Sequence, residues 1–366
     1  MSQKAKRPKS PKARLVFGCM TGTSLDGLDA VVAEITGHGL RMRVTVRDRH
    51  SASLGRLAAP LRALAEQQPF TAGAIARLAR DFSLLHARVL ARFGVTPDLV
   101  VVHGQTVFHA PPVSWQLLTP AVIAEHLGCA VISDLRAADL AAGGEGAPIT
   151  PLADLIIYGH ARERRTVINL GGFCNLTRLP AGRDPAAIRG GDVCACNQVL
   201  DAVARNALSR PYDPDGRHAL RGTSDLAAER DLVQRLEHQR RAGRSLGTGD
   251  ELAAWLAHHP LLPNDLARTA CAAIATVIAK AAAPADRLVL AGGGTRNRAL
   301  VAELEARSTA TVTLSDELGI PAGDREALGM AVLGALCQDG LPITLPAVTQ
   351  VAKPSRSGAW CFAPRP

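Results

Sequence analysis

Lysine is nearly missing from this chain. Four lysines fall within the first twelve residues, and only Lys280 and Lys353 follow among 366. No G-x-x-x-x-G-K-[ST] string can form, which excludes a P-loop enzyme. No V-A-I-K strand exists either, which excludes the usual protein-kinase site. Any phosphate must therefore be held by backbone N–H groups, hydroxyls, arginines and a metal ion. Aromatic residues are only 3% of the chain, leaving few platforms on which bases could stack. The net charge of +9 does not restore a nucleic-acid reading: MSQKAKRPKSPKAR carries six positive charges and no acid, which leaves about +3 for the rest. Residues 1–13 are expected to be a disordered basic tail. Long apolar runs are also lacking. LVF ends at Gly18, short of the roughly 7–15 residues of a signal h-region, and nothing approaches the ~18–20 needed to span a bilayer. A cytoplasmic protein with neither membrane nor nucleic-acid partner is expected. The eight cysteines are scattered, with only Cys194 and Cys196 close together. A lone C-x-C is a weak metal signal, so reduced, buried thiols are the expectation.

What is present is a chain 47% hydrophobic, long enough for two domains. GCMTGTSLDGLDA (18–30) is a polar, glycine-studded turn between strand-like LVF and AVVAEI. The stretch from Thr71 to Phe93 has helical spacing, and DLVVVHGQTVFH reads as a buried strand running into a polar loop. At Arg164 the opening pattern restarts: RRTVINLGGFCNLTRL is again strand, glycine turn, strand. DLARTACAAIATVIAKAAA is a helix, RLVLAGGGTRNRALVAELEARS is strand, triple glycine, helix, and LPAVTQVAKPSRSGAWCFAPRP is an extended return over the surface. Alternating strands and helices predict an α/β fold. The repeated hairpin predicts two similar domains with ligand-facing turns: 14–163 with 341–366 packing back on it, and 164–340.

The glycines of the opening turn suit backbone approach to a polyphosphate. Thr21, Thr23 and Ser24 add hydroxyls. Asp26 and Asp29 fit beside phosphate only with a cation between, which suits Mg²⁺ held partly through water; an ordinary wide hairpin turn is the plainer alternative. Gly171 and Gly172 mark the second turn, and Gly292, Gly293 and Gly294 precede a helix N-terminus, where a nucleotide can rest. Three such turns together predict an ATP site.

The strings MTGTSLDGLDA, VVHGQTVFH, DLRAADLAAGGEGAPITPLAD, INLGGFCNLT, AGGGTRNRAL and GIPAGDREALGMAVLGAL, in this order from Gly18 onward, resemble the anhydro-N-acetylmuramic acid kinases of the actin, Hsp70 and sugar-kinase superfamily. A levoglucosan kinase group shares much of the pattern. The resemblance implies a two-domain actin-like, ribonuclease H-like fold. It implies ATP-dependent hydrolytic opening of a 1,6-anhydro sugar with phosphorylation at O6. It also implies a homodimer. On this resemblance Gly22, Thr23, Ser24, Leu25, Asp26, Gly27, Leu28, Asp29, Gly171, Gly172, Gly292, Gly293, Gly294 and Asn297 hold ATP, and Asp26 holds Mg²⁺. His103, Gln105, Thr106, Arg136, Asp139, Glu145 and Glu326 face the sugar, Arg136 and Asp139 as a pair. Asp192 is the base that activates water, with helix capping as its plainer alternative. The chain departs from the family at three places. D-V-C-A-C-N stands where the family has a D-T-G-P-G-N-like string, Glu145 stands for a glutamine, and RAGRSLGTGDE matches its loop loosely, with Arg244 for lysine. These departures leave open another anhydro sugar, such as levoglucosan, or a catalytically weak ATP- or sugar-binding paralogue.

Overall fold

The structure, a computed structural model, describes residues 13–22, 25, 27–241 and 255–363. Thr23, Ser24, Asp26, Arg244 and nearly all of the basic tail lie outside the described residues. The chain divides into two compact units, Met1–Ile157 with Glu326–Pro366, and Tyr158–Arg325.

The first unit opens with β1 (Arg14–Thr21), β2 (Leu28–Thr36) and β3 (Arg43–Ala52), an antiparallel meander. β4 (Leu99–Val102) then pairs parallel to β1, and β7 (Val131–Ser133) parallel to β4. A short hairpin of β5 (Gln105–Ala110) and β6 (Val113–Leu117) stands apart as its own two-stranded sheet. Val100, Val101 and Val102 are buried on both faces, as a central parallel strand requires. The helix Ala72–Ala91 starts where Thr71 accepts the Ala74 N–H, and its Leu78, Phe82 and Val89 fall on one buried face. Phe82, fully buried in the core with Phe17, Val32 and Leu90, contributes about 2–3 kcal/mol by leaving water.

The second unit repeats the plan. β8 (Arg165–Leu170), β9 (Phe173–Leu179) and β10 (Arg189–Ala195) form a meander. β11 (Arg287–Ala291) pairs parallel to β8, and β12 (Thr311–Leu314) parallel to β11. The sheet orders are β3-β2-β1-β4-β7 and β10-β9-β8-β11-β12, the same topology twice, with β13 (Ala359–Cys361) added to the edge of the first sheet. A three-stranded meander followed by two parallel crossovers, duplicated in one chain, is the actin-like ATPase fold that the resemblance implies, and the duplication is the one the repeated hairpin predicts. The helix Pro263–Ala282 fills the second core with a nearly continuous buried surface, small at Ala270 and Ala273 and large at Ile274.

Three details differ from the sequence reading. β1 runs through Gly18 to Thr21, so the glycine that looks like the start of a turn is inside a strand. A Cβ at Gly18 would lie 2.0 Å from the Ala327 carbonyl, so glycine there lets the helix Arg325–Gln338 rest directly on the strand. That packing groups 326–340 with the first unit, ahead of residue 341 where the return is expected. The return is also partly internal: Thr349 and Val351 are fully buried, and β13 pairs with β7.

Candidate active site

In the second unit, the turn joining β8 to β9 consists of Gly171 and Gly172. Their carbonyls are used: Gly171 O accepts from Asn197 N–H at 3.0 Å, and Gly172 O from Cys196 N–H at 2.9 Å. Asn197 Nδ2 also donates to Leu170 O at 3.2 Å, so the start of the helix Asn197–Ala207 is tied to the turn. The N–H groups of Gly171 and Gly172 meet no acceptor among the described residues. Two free N–H groups at a turn make an anion nest.

Gly292–Gly294 packs against this turn. Gly292 has φ +87°, and a Cβ on it would lie 2.5 Å from Asn169 Oδ1. A Cβ on Gly294 would lie 2.7 Å from the Leu170 Cβ, whereas Gly293 faces open space. Only glycine combines that left-handed backbone with so close an approach. Asn297 is engaged elsewhere: it caps the helix Arg298–Arg307 by accepting the Leu300 N–H at 3.1 Å, and its Nδ2 lies 3.7 Å from Cys271 Sγ. Its side chain is a structural part of the start of the helix that follows the glycine turn.

Asp192 is a strand residue. It sits on β10 opposite Asn175, at a bulge before Cys194, and Cys196 is the residue that precedes the following helix. The capping alternative therefore falls. The Asp192 side chain is exposed, yet its surroundings raise its carboxyl above the usual aspartate value by desolvation, with no charged or hydrogen-bonding neighbour contributing. Cys194 and Cys196, which replace small residues in the family string, are both fully buried in the core of the unit. Burial pushes the Cys196 thiol well above its usual range, so it is an inert packing group.

In the first unit, the loop from Gly22 to Gly27 links β1 to β2. Leu25 is buried, adopts φ +58° and donates its N–H to Gly22 O at 3.1 Å. A Cβ on Gly27 would lie 3.0 Å from the Ala52 carbonyl, and Leu28 is fully buried. Asp29 accepts the Ser51 hydroxyl at 2.6 Å. The Thr21 hydroxyl is buried and has no partner among the described residues. Thr21, at the mouth of the loop, and Asp29 offer oxygen donors of the type Mg²⁺ takes. Among the described residues no group of three His, Cys, Asp or Glu side chains could hold a metal.

The sugar-side candidates of this unit converge around Arg136. Arg136 Nε donates to His103 Nε2 at 3.0 Å, and Arg136 Nη1 donates to Gly146 O at 2.8 Å. His103 Nε2 is thus an acceptor, and its Nδ1 lies 2.9 Å from Gly104 O, which fixes the neutral Nδ1–H tautomer. Burial, and then the Arg136 charge, push the His103 pKa down to about 3. Burial lowers Arg136 to about 10, and the Glu326 carboxylate opposes that shift. His103 and Asp139 differ from expectation. Both ring nitrogens of His103 are occupied, so it orients Arg136 and has none to spare for a sugar hydroxyl. Asp139 does not pair with Arg136: it is fully buried and accepts from Gly146 N–H and the Thr349 hydroxyl, each at 2.8 Å.

Gln105 and Thr106 lie in β5 and not in a loop. Gln105 Nε2 donates to Thr106 O at 3.1 Å, while its buried Oε1 has no partner among the described residues. Thr106 Oγ1 accepts from Gln116 Nε2 at 3.3 Å. Glu145 is exposed and accepts from Gln350 Nε2 at 2.5 Å. The sequence pattern does not single out Arg325, which is 2% exposed and near enough to act on the Cys174 thiol. It opens the helix Arg325–Gln338, beside the Glu326 that the resemblance does single out.

The family model for anhydro-N-acetylmuramic acid kinase matches residues 14–363. A protein of that name from Salinibacter ruber is 35% identical over 372 residues, covering 92% of this chain and 93% of its own. Another from Bordetella pertussis is 36% identical, with the same two coverages. One from Gloeobacter violaceus is 34% identical, covering 92% of this chain and 95% of its own. The solved activator of 2-hydroxyisocaproyl-CoA dehydratase from Clostridium difficile, with bound ADPNP, overlays at a TM-score of 0.45 and 13% identity, covering 89% of this chain and 96% of that one. That likeness is too loose to carry an argument. No helix among the described residues is long and apolar enough to cross a membrane. The chain belongs to the anhydro-N-acetylmuramic acid kinase family and is an ATP-dependent sugar kinase.

Proposed function

We propose that Asp192 is the general base of a reaction converting 1,6-anhydro-N-acetylmuramic acid, ATP and water to N-acetylmuramic acid 6-phosphate and ADP. The observation that carries this reading is the Asp192 carboxylate itself: exposed on a strand, met by no cation or donor among the described residues, and raised by desolvation. A general base needs such a carboxylate, because pairing with a cation would lower its basicity. Asp192 takes a proton from water as the water oxygen bonds to the anomeric carbon. The bond from that carbon to O6 breaks, and its electron pair stays on O6. O6 then bonds to the γ-phosphorus, ADP leaves with the electron pair of the broken phosphoanhydride bond, and Asp192 returns its proton to solvent.

The free N–H groups of Gly171 and Gly172 and the close-packed Gly292–Gly294 turn receive the nucleotide phosphates in this reading. Arg136, held by His103 and Gly146, presents its remaining N–H groups to the sugar, with Gln105, Thr106 and Glu326 as further polar contacts. Asp26 with water would hold Mg²⁺, which neutralises phosphate charge when bound. The burial of Cys194 and Cys196 in the core supports catalysis over a weakened paralogue, since neither thiol crowds the exposed Asp192. The need for ATP fits a cytoplasmic location.

Asp192→Asn keeps the shape and removes the base. Turnover with ATP, Mg²⁺ and the anhydro sugar should fall by about 10²–10⁴-fold, with ATP affinity within about twofold of the parent. A rate unchanged by the substitution would show that another group activates water.

A further inference from the structure

We infer that Thr349, far from the sugar-side residues in sequence, is a positioning residue for the Arg136 guanidinium. This inference rests on the reading of Arg136 as a sugar contact. Thr349 ends the short helix Pro346–Thr349 and is fully buried. It holds the 139–146 segment at two points. Its hydroxyl donates to Asp139 Oδ1 at 2.8 Å, and its carbonyl accepts the Glu145 N–H at 2.7 Å. The hydroxyl also lies 3.3 Å from Leu345 O, but its single proton goes to the nearer and anionic acceptor.

From Asp139 the connection continues without a gap. Asp139 Oδ2 accepts the Gly146 N–H at 2.8 Å, Gly146 O accepts from Arg136 Nη1 at 2.8 Å, and Arg136 Nε donates to His103. One residue, Gly146, is thus gripped at its N–H by Asp139 and holds Arg136 with its carbonyl. The Asp139 carboxylate is fully buried and has no cation on it among the described residues, so the Thr349 O–H and the Gly146 N–H are what satisfy it. Without the hydroxyl, one carboxylate oxygen is left buried and unpaired, and Asp139 must turn or draw in water. Either response moves Gly146, and with it the guanidinium that the sugar meets. An ångström of misplacement is enough to weaken a positioned contact by an order of magnitude or more.

The test is Thr349→Val, which is close in volume and lacks the hydroxyl, measured in the full-length enzyme beside Thr349→Ser and Arg136→Lys. The expected result is a rise of about tenfold in the KM for the anhydro sugar, with the KM for ATP within about twofold. Thr349→Ser should restore the sugar KM, because it returns the donor. If Thr349→Val does not fold, Thr349→Cys replaces it with a weaker donor of similar size, and the same split between the two KM values is expected. An unchanged sugar KM, or a parallel rise in both KM values, overturns the positioning role. Arg136→Lys separates the two levels of the argument. If it leaves the sugar KM unchanged, the reading of Arg136 falls; if it raises that KM while Thr349→Val does not, only the inference about Thr349 falls.

Discussion

Asp192 and His103 show opposite effects of desolvation at the scale of single residues. Desolvation disfavours charge in both cases, but it raises the acid and lowers the base. For Asp192 the result is a carboxylate with more proton affinity than one in water. As the proposed base it acts as the anion, so kcat/KM should fall as pH drops through a value above the ordinary ~3.9 of aspartate. The log of kcat/KM with the anhydro sugar, measured from pH 4 upward, should bend toward a slope of one on the acid side. A profile flat to pH 4 would remove Asp192 from that role. His103, by contrast, is held neutral down to about pH 3, so no titration from its ordinary range near 6.5 should enter that profile.

At the scale of elements, the hairpins were legible because glycine turns between alternating apolar runs are a local signal. Gly171 and Gly172 sit in the turn where that signal puts them. Contacts that close over long sequence distance were not legible. The Thr349–Asp139 hydrogen bond spans 210 residues, and nothing in LPAVTQ marks its threonine as internal. Nor does a string such as D-L-R-A-A-D tell whether its arginine and aspartate face one another. Five residues of short helix, Ala137–Ala141, instead carry Asp139 to Gly146 and Thr349 while Arg136 turns to His103. Gly18 illustrates the same limit, since glycine in a polar string reads as a turn, whereas here it makes room for a helix. Gly18→Ala would force its Cβ against the Ala327 carbonyl and the Ala331 backbone, neither of which can swing aside. Overpacking of this type costs about 1–3 kcal/mol or more. Urea unfolding of the variant should show a lower midpoint, equivalent to a loss of that much free energy. A midpoint equal to the parent would mean that the helix slides along β1 at little cost.

For the whole molecule, the pH dependence of stability follows from two histidines buried in the same unit. His86 is fully buried against Phe82 and lowered to about 4 by desolvation, and His103 is lowered to about 3. Once the chain unfolds, both return to about 6.5. The folded pKa lies below the unfolded one, so these groups contribute fully above about pH 6.5. Below it the unfolded chain binds protons that the folded chain refuses, and stability falls until pH approaches the folded values. Each histidine contributes a slope of up to about 1.4 kcal/mol per pH unit across that window. Asp192 works weakly in the other direction: its folded pKa is raised, so it favours the folded state as pH falls, but its exposure keeps the contribution small. The balance predicts a marked loss of stability between pH 6.5 and 4.5. Urea midpoints followed by circular dichroism at these two values should differ clearly, and His86→Phe, if it folds, should flatten the difference by about half. Equal midpoints for the parent protein would mean that the buried imidazoles are protonated as readily folded as unfolded, which would also undo the fixed tautomer on which Arg136 rests.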